Sequence, residues 1–332
     1  MSLDEPRINH NSNSDFDTIA RGLLVVKAEK AFEVVRSSSD SDIRGLSFDQ
    51  RFQLIHSIQK GILADAPDPS PQHPHEPIDE NQFKPEMEAI DRVSRSLKLS
   101  DFYRNFMVNV SRQAAYELIE STRNTRAILE WKPINTGFSA QSNPEAQDSE
   151  NFYFLREFHW LFIEFLHQNM QTIGASLDFL YAVVPATIEP VHLKPALLSD
   201  GRRSTIVHGI AKTDITSLPN GYKIYANTHP DSMLDTAPNA AELIGHESAH
   251  IAEGIFGFTF NHHAGFVHEE FTKDAALIES MHRNKGYISP RLYSAYEKQS
   301  VETVAQLTGL VAREVVTNFI ERQKSKPRLS LL

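Results

Sequence analysis

The sequence predicts an α+β fold that is predominantly helical, with a small sheet in its second half and a helical N-terminal region. Two observations support this prediction. Up to about residue 200, apolar side chains recur mostly at helical spacing. After Pro185, the segments STIVHGIA and NGYKIYAN are short, rich in strand-forming residues, and bounded by Gly, Pro and Asn, as strands are.

The composition narrows both the class of protein and the class of partner. The chain has 332 residues, a formal net charge of −10 and no cysteine. This length allows one large domain or two modest ones. The negative net charge and the scattered Lys and Arg residues argue against a nucleic-acid partner, because a protein that binds nucleic acid needs a concentrated basic face. Without cysteine there is no disulfide scaffold, thiolate zinc site or cysteine nucleophile.

No targeting or membrane segment is predicted from the sequence. The first residues, MSLDEPRINHNSNSDFD, do not show the basic-then-apolar pattern of a signal peptide. No window reaches the run of about 18 apolar residues that predicts a transmembrane helix. We therefore expect a soluble protein with no transmembrane segment, either cytoplasmic or exported by a specialised secretion route.

Changes in residue pattern divide the chain into five segments. Residues 1–15 are polar and predict a disordered tail, and 16–65 predict an N-terminal helical segment that includes FDQRFQLIHSIQKGILA. Residues 66–85 predict a linker, because prolines recur there too densely for the interior of a helix or strand. Residues 86–200 predict a helical region packed on the part that carries the chemistry, 201–325.

Two apolar stretches in these segments predict buried elements. Aromatic residues recur at helical spacing in FYFLREFHWLFIEFLHQNMQTIGASLDFLYAVV, which predicts a core helix. We interpret His159 and His167 within it as core histidines whose hydrogen bonds are satisfied. Residues 222–226 alternate between apolar and polar positions and follow a Pro-Asn-Gly turn, so we expect an edge strand there.

A further helix is predicted in the stretch AELIGHESAHIAEG and the residues just before it. Pro238 suits the first turn of this helix, and Asn239 lies near a cap position. Gly254 is placed to end it. Leucine, isoleucine and alanine fill most of the positions between, so we expect the helix to be buried on more than one side.

The two histidines of this helix, His246 and His250, are suited to bind a metal ion. Side chains at positions i and i+4 lie on the same face of a helix, so both imidazoles can reach one zinc ion. Glu247 is rotated to one side, where it can accept a proton from a water molecule without binding the metal. The pattern predicts zinc as cofactor, both histidines as ligands and the glutamate as general base.

Catalytic zinc usually has three protein ligands, and two glutamates are candidates for the third. Glu302 lies near the start of a helix that is apolar nearly all round, where a carboxylate is costly unless it is paired or metal-bound. Glu270 is followed one turn later by Asp274, which could orient a zinc-binding histidine. The residues alone leave both candidates open.

Three stretches, HESAH, FTKDAALIESMHRNKGYIS and YSAYEKQSVETVAQL, together resemble the catalytic domain of lethal-factor-type zinc metalloproteases, which are gluzincins. The resemblance covers about residues 200–320. It implies a zincin-like catalytic region in 201–325, with a small sheet beside the HExxH helix. Its motifs differ in specificity: HExxH is fairly specific, whereas ExxA is weak alone.

The resemblance also implies a role for individual residues. The zinc ligands would be His246, His250 and Glu302. Glu247 would be the general base, and Ala305 takes the position of the family's alanine. Tyr296 corresponds to the tyrosine whose phenol stabilises the developing oxyanion. It stands one residue closer to the ligand glutamate than the family pattern has it, which leaves Tyr293 as an alternative.

Two other zinc-protease patterns fit less of the sequence. The spacing from His250 to Glu270 and Asp274 matches a thermolysin-like arrangement, but the later thermolysin-type motifs are not visible. The metzincin motif needs glycine three residues after the second histidine, and Glu253 stands there instead. We expect three later histidines on the surface or in the substrate cleft: His262, His263 and His268.

The function expected from these residues and this resemblance is that of a zinc-dependent endopeptidase acting on a protein or peptide substrate. The substrate would lie antiparallel to the expected edge strand in 222–226, as extended peptides do in clefts. The resemblance further suggests an exported bacterial effector or toxin-type protease. The alternative is a non-enzymatic binding or scaffold protein that retains a zincin fold.

Overall fold

The computed structural model confirms a predominantly helical α+β architecture with a small sheet. It describes residues 27–69, 77–133, 150–172, 186–191, 208–213, 222–229, 231–259 and 269–325. The predicted tail, 1–15, and the three histidines expected on the surface or in the cleft, His262, His263 and His268, lie outside these ranges. Within them, no helix has both the length and the apolar character needed to cross a membrane.

The elements are numbered in chain order within the described residues. The helices are α1 (Ala28–Ser37), α2 (Asp40–Gly45), α3 (Phe48–Asp65), α4 (Lys84–Ser94), α5 (Asp101–Glu120), α6 (Thr122–Leu129), α7 (Glu150–Thr172), α8 (Ala237–Thr259), α9 (Glu269–Arg283), α10 (Tyr293–Tyr296) and α11 (Ser300–Ser325). The strands are β1 (Thr187–Val191), β2 (Gly209–Thr213) and β3 (Tyr222–Asn227). Two short 3-10 turns occupy Glu80–Phe83 and Met233–Asp235.

The chain forms two compact units, and the first consists of Met1–Lys98 together with Glu279–Ser300. Helix α3 confirms the helix predicted in FDQRFQLIHSIQKGILA. Ser39 and Ser47 begin α2 and α3 with capping boxes, in which each hydroxyl accepts a hydrogen bond from the third backbone N–H of its helix. Apolar side chains of α1, α3 and α4 form the core of this unit: Val34, Val35, Ile55, Ile58 and Ile90.

The second unit consists of Leu99–Ile278 together with Val301–Leu332. Helix α7 is its central element and packs against α5 and α8. The core helix predicted from the aromatic spacing is confirmed as far as Thr172, and the rest of that stretch, 173–185, lies outside the described residues. Its aromatic face is fully buried: Phe152, Phe154, Phe158 and Phe162.

His159 on α7 connects this helix to α8 and to the start of β1. Its Nε2 accepts a hydrogen bond from the Ala186 N–H at 2.8 Å, so Nδ1 carries the proton and donates to Ser248 Oγ at 2.8 Å. The interpretation of His159 as a satisfied core histidine is therefore confirmed. For His167, in contrast, the described part of the chain offers no hydrogen-bond partner to Nε2.

The three strands form one sheet in the order β1-β3-β2. Strand β3 pairs in parallel with β1 and antiparallel with β2. The expectation of an edge strand in 222–226 is therefore wrong, because β3 is hydrogen-bonded on both sides. Alternating side chains predict a strand with one buried face, but they carry no information about which strands flank it.

Helix α8 carries the HESAH stretch and differs at both ends from the prediction. Pro238 lies in its first turn as expected, but the capping hydroxyl belongs to Thr236, whose Oγ1 accepts from the Asn239 N–H at 3.3 Å. The helix also continues through Gly254 to Thr259. The side chains of Ile255 and Phe256 are fully buried, and this packing outweighs the roughly 1 kcal/mol cost of a glycine within a helix.

Candidate metal centre

The two histidines of α8 and a glutamate of α11 come together in the second unit. The Nε2 atoms of His246 and His250 lie 3.1 Å apart. Glu302 approaches them with one carboxylate oxygen each, at 3.6 Å from His246 Nε2 and 3.3 Å from His250 Nε2. The Glu302 side chain is 1% exposed, so it lies buried in the first turn of α11. This group could hold a metal ion.

The spacing of the donor atoms is close to that of a tetrahedral metal site. With zinc-to-ligand distances of 2.0–2.2 Å, two ligand atoms on a regular tetrahedron lie roughly 3.3–3.6 Å apart. The two histidine nitrogens lie 3.1 Å apart, and the separations of 3.3 and 3.6 Å lead from them to different oxygens of the one Glu302 carboxylate. Two imidazoles and one carboxylate supply three ligands, which leaves a fourth position for water or substrate, as catalytic zinc sites do.

A close approach between α8 and α11 is what brings the donors together. A Cβ at Gly309 of α11 would lie 2.4 Å from the backbone oxygen of Glu242 and 3.3 Å from the Cβ of His246. Only glycine therefore allows the two helices to come this close. Arg313, one turn further along α11, donates to the Glu242 carboxylate at 2.8 Å and supports the same contact.

Charges within the group set unequal pKa values for the two histidines. Burial and the neighbouring His250 lower the pKa of His246 to about 3. Burial alone would lower the pKa of His250 too, but the carboxylates of Glu302 and Glu253 outweigh it and raise that pKa well above the usual value. A metal ion would bind each imidazole in its neutral form.

Glu247 lies beside the cluster and faces the sheet. Its side chain is buried, and burial raises its pKa to about 7. The carboxylate accepts a hydrogen bond from the backbone N–H of Ala211 in β2. A Cβ at Gly209 would lie 2.7 Å from Oε1 of Glu247, so the first residue of β2 must be small for the carboxylate to occupy this place. A divalent cation next to it would lower its pKa again.

Glu253 is a residue of this site that the sequence interpretation missed. The sequence motifs concern this position only as the place where a metzincin has glycine. In the structure its Oε2 accepts a hydrogen bond from Nδ1 of His250 at 2.9 Å, and the residue is 2% exposed. Its spacing could have revealed it, because a carboxylate three residues after a histidine lies on the same helix face.

The rival third ligand does not join the group. Glu270 lies exposed in the first turn of α9. Asp274, which the thermolysin-like pattern would place behind a histidine, instead accepts hydrogen bonds from the N–H and the hydroxyl of Ser100 at the start of α5. The structure therefore brings Glu302 to the histidines, and the role of Glu302 as a zinc ligand remains a prediction.

The tyrosine expected to bind the oxyanion belongs to the first unit. Tyr296 ends the short helix α10 and is partly buried, with its ring 5.9 Å from that of Tyr287. The alternative, Tyr293, begins the same helix, and its hydroxyl bonds to the Glu297 carboxylate. The assignment of either tyrosine to catalysis therefore stays a prediction. Ala305, the expected family alanine, is fully buried on α11.

Comparison with known proteins does not place the chain in a family. No family model matches it, and neither a curated protein nor a solved structure matches it either.

Proposed function

We propose that this protein is a zinc-dependent endopeptidase of the gluzincin kind, with a zincin-type catalytic region in residues 201–325. The observation that carries this proposal is the cluster of His246, His250 and Glu302, with Glu247 buried beside it. Two imidazole nitrogens and one carboxylate oxygen are the donors that many zinc peptidases use. The order of these residues in the chain agrees with the lethal-factor-type pattern.

The chemistry divides between the metal and the residues around it. Zinc in this position would lower the pKa of a water molecule and polarise the carbonyl of a substrate amide. Glu247 would take the proton of the water and deliver it to the leaving amine, which is the work of a general base and then a general acid. Its burial and its bond to the Ala211 N–H hold the carboxylate in one orientation beside His246.

The edge of β2 with which no described strand pairs supports a peptide as the substrate. Among the described strands β2 pairs only with β3, and it lies against α8 near Glu247. An extended peptide that pairs with this edge would run past the metal ligands, and strand addition is a common mode of peptide binding. The edge strand that receives the substrate would therefore be Gly209–Thr213, in place of the expected 222–226.

Two further parts of the proposal rest on the resemblance. Tyr296 would donate a hydrogen bond from its phenol to the oxyanion that forms on the scissile carbonyl. The protein would act as an exported bacterial effector or toxin-type protease on a protein of another cell, which is an inference by analogy with the family.

Replacement of Glu247 by Gln tests the enzymatic function. The variant keeps the shape and burial of the side chain but cannot accept a proton. We expect zinc content and fold to be unchanged, and cleavage of a randomised peptide library, read by mass spectrometry, to fall by at least about a hundredfold. Glu270→Gln makes the same chemical change at an exposed position of α9 and should retain full cleavage.

The same experiment decides between an enzyme and a scaffold. If zinc-loaded wild type cleaves no peptide of the library, or if Glu247→Gln cleaves as fast as wild type, the endopeptidase proposal is wrong. A non-enzymatic binding protein with a zincin fold would then be the better interpretation. Circular dichroism on each variant confirms that a loss of cleavage is not a loss of structure.

A further inference from the structure

The buried carboxylate of Glu253 has a single described hydrogen bond, and its partner is His250. Its Oε2 lies 2.9 Å from Nδ1 of the imidazole. Its second oxygen, Oε1, is buried and has no hydrogen-bond partner among the described residues. A carboxylate in such a place is costly, and a structural role alone would be served as well by an apolar side chain.

Asp274 shows what a structural carboxylate looks like in the same unit. It is buried to a similar degree, with 3% exposure against 2% for Glu253. Both of its oxygens accept hydrogen bonds from Ser100, at the first turn of α5. Asp274 thus stabilises a helix end, whereas the described hydrogen bond of Glu253 goes to an imidazole of the candidate metal centre.

The bond to Glu253 determines which nitrogen of His250 faces the metal centre. A carboxylate can only accept, so Nδ1 of His250 carries the hydrogen that it donates. The lone pair of the neutral ring is then on Nε2, and Nε2 is the atom that lies 3.1 Å from His246 and 3.3 Å from Glu302. The negative charge behind the ring also makes the imidazole a stronger electron donor.

We propose that Glu253 is the positioning residue of the metal centre: it fixes the tautomer and the orientation of His250 so that Nε2 is presented to the ion. This inference rests on the proposed zinc site and adds a residue that neither the HExxH pattern nor the third ligand includes. Glu253 does not bind the metal itself. It acts on the affinity of the site through His250.

Metal affinity, measured by titration of the purified full chain with zinc against a chromophoric chelator, tests the proposal. Glu253→Gln removes the charge and should weaken zinc binding by about 10–100-fold. Asp274→Asn makes the matched change at the other buried carboxylate and should leave the affinity within about twofold of wild type. Thermal unfolding of the metal-free variants shows whether each still folds.

A second variant keeps the test decisive if Glu253→Gln does not fold. Glu253→Asp retains the charge but shortens the side chain by one carbon, about 1.5 Å, so the carboxylate no longer reaches Nδ1 at bonding distance. We expect weaker zinc binding and a changed visible absorption spectrum of the cobalt(II)-loaded protein, which reports the geometry of the ligands. A purely structural role would change the unfolding temperature and leave both metal readouts as in wild type.

The outcomes separate this inference from the proposed function. If wild type binds zinc tightly and a folded Glu253→Gln or Glu253→Asp binds it equally tightly, the positioning role is wrong and the zinc site stands. If wild type binds no zinc, the proposed function itself fails. Weaker binding in the Glu253 variants, with normal binding in Asp274→Asn, supports both.

Discussion

The contact between Gly309 and α8 allows a quantitative prediction for Gly309→Ala. The new methyl group would lie 2.4 Å from the Glu242 carbonyl oxygen, whereas an ordinary carbon-to-oxygen contact is about 3.3 Å or more. The two helices must therefore separate by roughly 0.9 Å at this point. The atoms nearest to the new methyl group are the main-chain carbonyl of Glu242 and the Cβ of His246, so no side-chain rotation relieves the clash. Overpacking of this kind costs typically 1–3 kcal/mol in the free energy of unfolding.

The same separation should weaken metal binding. Glu302 lies on α11 about two turns before Gly309, and a stiff helix carries much of the displacement to it. Metal-ligand distances tolerate only about 0.2 Å, so even a third of the shift exceeds what the site can absorb. We expect zinc affinity to fall by at least about tenfold, which corresponds to about 1.4 kcal/mol.

Chelator competition for the metal and urea unfolding of the metal-free protein measure the two effects. Gly45→Ala is the control, because a Cβ at Gly45 meets nothing within 4 Å. That variant should keep wild-type zinc affinity. The geometric reasoning is refuted if Gly309→Ala binds zinc as tightly as Gly45→Ala and unfolds at the same urea concentration.

Two further predictions concern the surroundings of the site. Gly209→Ala should displace the Glu247 carboxylate, whose Oε1 would lie 2.7 Å from the new carbon. Peptide cleavage should then fall severalfold while zinc content stays at the wild-type level, and a parallel loss of zinc would contradict this. His159 has its pKa lowered to about 3 by burial, whereas an unfolded histidine has a pKa near 6.5. Between pH 7.5 and pH 5 the unfolded chain therefore binds a proton that the folded chain does not. The His159 contribution to the free energy of unfolding falls by about 2 kcal/mol over this range. Urea unfolding of His159→Gln, which does not titrate, should differ from wild type by that amount in its change between the two pH values. An identical change in both proteins would show that the histidine is not buried as described.

Some features of this protein follow from short stretches of sequence. The four-residue spacing of His246 and His250 is a local property of a helix, and so is the position of Glu302 near the start of α11. Their convergence depends on tertiary structure, yet the apolar surroundings of Glu302 favoured it, because a buried carboxylate needs a partner. The long helices could be predicted because the apolar residues along each one recur at helical spacing and so mark its buried face.

Other features depend on contacts that the sequence does not record locally. The alternating pattern of β3 suggested an edge strand, but β1 and β2, which precede it in the chain, pair with it on both sides. Glycine at position 254 predicts the end of a helix, but α8 continues because the side chains of Ile255 and Phe256 after it are buried. The role of Glu253 needed the observed bond to His250, although its spacing alone allowed the contact.

Zinc content of the purified chain tests the central claim most directly. Elemental mass spectrometry should find about one zinc ion per chain in wild type and in Glu270→Ala, and almost none in His246→Ala or Glu302→Ala. That result would establish the ligand set on which the proposed function depends. If wild type takes up no zinc when it is supplied, or if Glu270→Ala loses zinc while Glu302→Ala retains it, the metal centre described here is contradicted.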